Sequence, residues 1–259
     1  SISSINYCPV KSVSFQSVKN CKIKKNIGII GDRIFAFAKD LDLEQAKLFE
    51  KSPAERKGKW NKVLTLKNSP ALNKYNFIFK DEKLTLTFKD NEILSIDINQ
   101  LTEREALSNK ISELESSLKQ PITLMKNDAF PFFDTSISKK VDFVNSVSLL
   151  NFQSINDFEK KVGKKIETSI FRGNICIDGL EPWKEREWIG KTIKINNISF
   201  KVEKNIPRCV AINLKPKTDD NSFNLLQLLK KNYNHFDMGI YLTALDDGEI
   251  SIGNTIDIN

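Results

Sequence analysis

The chain has 259 residues, 40% hydrophobic and 28% charged, with a formal net charge of +7. Those proportions are ordinary for a globular protein, and the length suits one large domain or two modest ones. No apolar run approaches the roughly 20 residues that span a bilayer, and residues 1–10 lack the pattern of a signal peptide, so no transmembrane segment and a cytoplasmic location are expected. The positive charge suits an anionic partner, such as nucleic acid, a membrane surface or a phosphorylated small molecule, and equally a solvated lysine-rich surface. The lysines are spread along the chain with no aromatic-rich binding strand, so no nucleic acid is expected. The four cysteines, Cys8, Cys21, Cys176 and Cys209, include no CxxC pair, and His235 is the single histidine. A zinc ribbon and a His-rich metal centre are therefore excluded, and a metal here needs cysteine ligation or a cofactor that brings its own ligands.

In chain order, residues 5–10 read as a short strand ending at a proline. Residues 27–38 open with Gly28 and Gly31 and continue as a strand over 33–38. Residues 63–66, 76–79 and 84–88 alternate as half-buried strands, with a turn at 80–83. Short strands at this spacing predict a small barrel. Thr102-Glu103-Arg104-Glu105 reads as a capping box, followed by Leu107, Ile111, Leu114 and Leu118 at helical spacing as far as Pro121. The boundary falls there, giving parts 1–120 and 121–259. In the second part, Ser154 reads as the N-cap of a helix that buries Ile155, Phe158 and Val162 and stops at Gly163. Residues 175–177, 192–195 and 198–202 read as strands and residues 222–233 as an amphipathic helix. Strands at 239–243 and 249–253, joined by a turn at 246–248, close the sheet.

Cys209 follows a strand and stands beside Arg208, whose charge favours a thiolate; the alternative is a buried, inert cysteine. Arg172 and Asn174 offer a forked donor and an amide, and in an extended segment their spacing puts them on one side. The plainer reading is a surface ion pair and a turn amide. Lys11, Ser12 and Arg33, at strand ends, make a plausible anion clamp, although each alone is an ordinary loop residue. Cys8, Cys21 and Cys176 read as structural, and His235 as a helix C-terminal contact. Trp183 and Trp188 read as packing anchors, or as the wall of a pocket if exposed.

Taken together, these segments resemble a known family. Tyr7-Cys8-Pro9-Val10-Lys11-Ser12 followed by Gly31-Asp32-Arg33 resembles the N-terminal β-barrel partner of MOSC domains. Phe171-Arg172-Gly173-Asn174-Ile175, residues 183–190, Arg208-Cys209, residues 237–241 and residues 250–254 resemble the MOSC domain itself. The nearest likeness is to bacterial MOSC proteins and the mitochondrial amidoxime-reducing branch. The resemblance implies a mixed α/β, β-rich fold, a MOSC β-barrel domain packed on an N-terminal β-barrel domain, with a molybdenum–molybdopterin cofactor between them. It implies Cys209 as metal ligand and catalytic residue, and Lys11, Ser12, Arg33, Arg172, Asn174, Arg208 and Cys209 as cofactor contacts. A pterin phosphate suits such cations, and the cofactor supplies most metal ligands. Pyridoxal phosphate is not expected.

The activity implied is a molybdenum-dependent oxidoreductase that reduces N-hydroxylated small molecules. Without an iron–sulfur cysteine cluster, its electrons are expected from a ferredoxin-like, cytochrome b5-like or flavoprotein reductase partner. The alternative is a non-catalytic carrier of persulfide sulfur or of the molybdenum cofactor. The sequence departs from the family pattern at Pro207, Gly173, Ile212 and Asn213, and a further pterin-contacting loop is expected near residues 145–148.

Overall fold

The computed structural model describes residues 1–13, 15–56, 58–118, 121–133 and 146–258. The chain is mixed α/β and strand-rich. In order its strands are β1 (Ile2–Tyr7), β2 (Gln16–Val18), β3 (Asn20–Lys24), β4 (Gly28–Ile29), β5 (Phe35–Lys39), β6 (Tyr75–Lys80), β7 (Lys83–Phe88), β8 (Asn91–Asp97), β9 (Ile122–Lys126), β10 (Val147–Asn151), β11 (Ile175–Ile177), β12 (Thr192–Ile195), β13 (Ile198–Pro207), β14 (Asp237–Ala244), β15 (Gly248–Ser251) and β16 (Ile256–Ile258). The α-helices are α1 (Leu43–Lys51), α2 (Pro53–Arg56), α3 (Leu101–Leu114), α4 (Phe152–Val162) and α5 (Leu225–Tyr233). Among the described residues no helix is long and apolar enough to cross a membrane.

The largest sheet has the order β16-β12-β13-β14-β10-β11-β1-β2. Its centre is buried on both faces: all five residues of β10 are buried, as are all three of β11. These two strands run parallel, so the chain must cross over between them, and α4 is part of that crossover. β12 and β13 form a hairpin whose turn places Asn196 in the left-handed region, with φ 54°. Along β13, Ile198, Phe200 and Val202 point into the core, and Lys201 and Glu203 point out. Its pairing with β14 shifts register between Val202 and Lys204 and again between Asn205 and Pro207. Such irregularities bend a strand and re-aim its end, which here delivers Arg208 and Cys209.

The two parts share sheets: β1 and β2 extend the largest sheet beyond β11, and β15 joins β3 and β4. β1 pairs antiparallel with β11, and β3 pairs antiparallel with β15. A separate core gathers Phe35, Phe37, Phe77, Leu84, Leu86 and Leu107 beneath the sheet β6-β7-β8, helix α3 and the pair β5-β9.

Several elements differ from the sequence reading. Val63, Leu64 and Leu66 are buried, but residues 63–66 form no strand: Val63 makes one isolated bridge to Ala38, and Asn68 turns the chain by donating to the Val63 carbonyl at 2.9 Å. The predicted capping box does not form. Helix α3 starts two residues earlier, with Gln100 at the N-cap, and Glu103 instead accepts from the Asp97 backbone N–H at 2.5 Å. Asn151, not Ser154, caps α4, while Gly163 ends it in the left-handed region as expected. Strand β15 does not return beside β14 but leaves the main sheet for β3.

Ser154 is drawn inward by Glu185. The fully buried Glu185 carboxylate accepts from the Ser154 hydroxyl at 2.8 Å and from Asn151 Nδ2 at 2.9 Å. Burial pushes the Glu185 carboxyl up from its ordinary 4.5, against the pull of those hydrogen bonds. With the folded value above the unfolded one, the carboxyl contributes most to stability when protonated. That contribution is complete below about 4.5 and is lost as pH rises through the folded value. Urea titrations of wild type and Glu185→Gln across this range should therefore show wild type losing stability relative to the variant as pH rises. A constant gap would contradict the assignment.

Gly239 is the other tight point, where β14 passes β10. At φ +81° an added Cβ would lie 2.4 Å from the Leu149 carbonyl oxygen and 2.6 Å from Leu150 Cδ2. Gly239→Ala should cost about 2–3 kcal/mol in chemical unfolding, combining backbone strain with overpacking.

Candidate functional site

The site begins where residues 8–11 run beside residues 33–35. Arg33 N–H donates to the Cys8 carbonyl at 2.6 Å, Phe35 N–H to Pro9 at 3.0 Å, and Lys11 N–H back to Phe35 at 2.8 Å. Arg33 therefore does not begin a strand as the sequence suggested. It sits before β5 in the left-handed region with φ 54°, as does Ser12 with φ 64°. Between the two segments lies Asp32, 1% exposed. One oxygen accepts from the Cys8 N–H at 2.7 Å, and the other from Asn174 Nδ2 at 3.2 Å and from the Arg33 guanidinium. Burial works against the Arg33 charge, but Asp32, Cys8 and Tyr241 outweigh it and raise the pKa.

Asn174 is buried, and both ends of its amide are used. Its oxygen accepts from Ser148 N–H at 3.0 Å and Ser148 Oγ at 2.8 Å; its nitrogen donates to Asn6 O at 3.1 Å as well as to Asp32. Arg172 does not lie with it along an extended segment. It ends the 3-10 turn Thr168–Phe171 at φ 50°, and the strand begins only at Ile175. From there Arg172 Nη2 donates to the Cys8 sulfur at 3.1 Å. Burial pushes the Cys8 thiol up, while Arg172, Arg33 and Lys11 pull it down and Asp32 adds to the rise. Lys11 is itself 7% exposed, and its ammonium lies 5.0 Å from the centre of the Trp60 ring.

Arg208 follows β13. Its Nε donates to the Met238 carbonyl at 2.9 Å and its Nη1 to the Phe171 carbonyl at 2.8 Å, while Nη2 also reaches Met238. Burial draws its pKa down to about 10. Cys209 comes next, exposed, and caps the 3-10 turn Val210–Asn213. His235 follows α5 and accepts the Asp237 N–H at 3.1 Å through Nδ1, while stacking on Tyr233. Trp188 is a packing anchor at 5% exposure, and Trp183 is half-buried against Tyr233.

The structure thus gathers Lys11, Arg33, Arg172 and Arg208, with Ser12 beside Lys11 and Cys209 beside Arg208. Asp32 and Cys8, which tie this cluster together, are absent from the sequence-derived candidates. The signal for Asp32 was a carboxylate flanked by a glycine and an arginine inside an apolar stretch. In the expected loop at 145–148, Ser148 braces Asn174, the buried Ser146 hydroxyl has no hydrogen-bond partner among the described residues, and Asn145 lies outside them.

The residues suit an anionic cofactor. Among the described residues, the charged groups acting on Cys8 are the cations Arg172, Arg33 and Lys11 and the carboxylate Asp32. Among the described residues no group of three or more His, Cys, Asp or Glu side chains could hold a bare metal ion. Cys209, beside Arg208, is an exposed thiol, and a thiolate is a ligand for a soft metal centre.

Residues 140–257 match the model of the MOSC domain family. A 92-residue stretch is 27% identical to mitochondrial amidoxime reducing component 2 of Bos taurus, covering 36% of this chain and 27% of that protein. The match therefore spans about a quarter of that relative's length. Among solved structures, the YUAD protein of Bacillus subtilis superposes over 99% of this chain and 93% of its own, with 10% identity and a TM-score of 0.45. YiiM of Geobacillus stearothermophilus covers 44% of this chain and 53% of its own, with 14% identity and a TM-score of 0.36.

The cysteines differ sharply in access. Cys209 is exposed, Cys8 and Cys176 are buried, and burial pushes Cys21 up to about 12 and Cys176 to about 11. Brief iodoacetamide treatment of native protein should alkylate Cys209 first, with Cys8 and Cys176 reacting only after denaturation. Peptide mass spectrometry checks this order.

Proposed function

We propose, for a chain whose residues 140–257 match the MOSC domain family, that it binds a molybdenum–molybdopterin cofactor and reduces N-hydroxylated compounds with electrons from a partner protein. The observation that carries this reading is the convergence of Lys11, Arg33 and Arg172 on one spot with Asp32 as counter-charge, next to Arg208 and the exposed Cys209. When bound, the cofactor supplies a two-electron redox centre. The chain's own residues hold and orient it. In this reading Lys11, Ser12, Arg33 and Arg172 bind the pterin phosphate and ring, and Cys209 supplies the protein thiolate.

Asn174 and Arg208 act mainly as positioning residues. Asn174 spends both ends of its amide on Ser148, Asn6 and Asp32. Arg208 braces the Phe171 and Met238 carbonyls. Parts 1–120 and 121–259 would then contribute to one shared site. We assign the protein to the cytoplasm, with a ferredoxin-like, cytochrome b5-like or flavoprotein reductase as electron donor. Exposure of Cys209 equally suits the second reading, a carrier that hands on persulfide sulfur or the cofactor itself.

Cys209→Ser separates these readings. The side chain is exposed, so the variant should keep the wild-type melting temperature within about 1 °C, as surface substitutions usually do. If Cys209 ligates the metal, reduction of an N-hydroxylated test substrate by an artificial reductant should fall at least about 100-fold. Pterin content should be largely retained. A carrier instead shows labelled sulfur transfer from a desulfurase that the variant loses. Full molybdenum content with undiminished reduction would remove Cys209 from the mechanism.

A further inference from the structure

A cleft of about 290 Å³ lies between the two parts of the chain, with Val13 and residues 66–90 on one side and residues 167–172 and 211–217 on the other. Its floor is apolar: Val13, Leu66, Ile170 and Leu214 all line it at 4–8% exposure. Most polar groups in its walls are already engaged. Asn73 donates to the carbonyls of Lys215 at 2.9 Å and Thr218 at 2.7 Å, which pins the far wall. Lys74 pairs with Glu115 at 2.5 Å, and Tyr75 donates its hydroxyl to the same carboxylate at 2.8 Å. The Asn76 side-chain oxygen accepts from the Phe15 N–H at 3.0 Å. Lys217 pairs with Asp90 at 3.4 Å.

Two further cations line the cleft. Half-buried Arg172 belongs also to the cluster around Cys8 and Asp32. Lys89 stands exposed at the turn between β7 and β8, its ammonium 5.3 Å from the centre of the Phe88 ring. Two carboxylates also line it, exposed Glu167 and Asp90, the latter paired with Lys217, so the cleft is apolar within and its rim carries Lys74, Lys89, Arg172 and Lys217 against Asp90 and Glu167. Its volume is near the lower end of small-molecule sites, about 300–1,000 Å³, which suits a ligand built on a single ring.

We infer that this cleft is the substrate site and selects small, largely apolar molecules that carry a carboxylate, held at the rim by Lys89 with the reactive end toward Arg172. The assignment of the occupant as substrate rests on the function proposed above; the preference for a carboxylate is a property of the cleft itself. Isothermal titration of cofactor-free protein with benzamidoxime and with its para-carboxylated form measures that preference directly.

The carboxylated compound should bind about tenfold more tightly, the worth of one charge-assisted hydrogen bond. Lys89→Gln, at an exposed turn, should keep the melting temperature and bring the two affinities within about twofold while leaving benzamidoxime binding unchanged. Equal affinities in wild type, a preference that survives Lys89→Gln, or no binding of either compound would overturn the inference. So would loss of binding once the cofactor is loaded, because the cofactor would then fill the cleft. Selective binding by a loaded protein that reduces neither compound would uphold the cleft and reject the reductase.

Discussion

The Asp32 carboxylate is the constraint on which the rest of the site depends. A carboxylate this deeply buried is costly unless its oxygens are filled by donors. Its partners come from three places in the chain: the backbone of Cys8, the guanidinium of Arg33 and the amide of Asn174. Meeting that demand brings together the segment after β1, the turn before β5 and the entry to β11. Through Asn174 it reaches Ser148 on β10, so one charge ties both parts of the chain to the central sheet. Removing either Asn174 or Arg33 would leave the carboxylate short of donors, which makes their identities interdependent.

A second buried charge steadies Arg33 from behind. Arg56, with no exposed surface, donates to the carbonyls of Phe49 at 2.8 Å, Glu50 at 3.0 Å and Phe130 at 2.7 Å, with its guanidinium 4.0 Å from the Phe132 ring. The segment so held returns the support: Phe132 N–H donates to the Arg33 carbonyl at 2.8 Å, and the Phe133 ring lies 4.9 Å from the Arg33 guanidinium. Arg33 is thus fixed by its backbone on one side and by its charge on the other. Such double support can hold a non-glycine residue in the left-handed region. It also confines the guanidinium, so that a bound anion would lose little side-chain freedom.

What the sequence could reveal followed the range of each interaction. The hairpin β6-β7 and strands β11, β12 and β13 were legible because alternation and turn residues are local signals. Residues 63–66 carried the same alternation and form no strand, because Asn68 turns the backbone back on Val63. Ser154 had the chemistry of a cap but lies within the helix, since the carboxylate that claims it is 31 residues away. At the site, the cations and Cys209 were visible through family-like motifs. The left-handed backbone of Arg33 and Arg172 was not, because neither residue type asks for it. Asp32 and Cys8 were passed over for a related reason: their role exists only once Asn174 and Arg172 arrive from the other end of the chain.

The pairing of β1 with β11 sets Ile2 against Ile177, and β3 with β15 sets Ile23 against Gly248. During synthesis β1 can pair at once with β2, and β3 with β4, but the other edge of β1 and of β3 has no partner until most of the later sequence has been made. Strand edges left open in this way are templates for wrong pairing. Contacts so distant in sequence also slow folding, because the intervening loop must close before they form. The interlock that unites the two parts in the native state therefore leaves β1 and β3 each with one open edge while the intervening sequence is made, exposed to the mispairing that chaperones suppress.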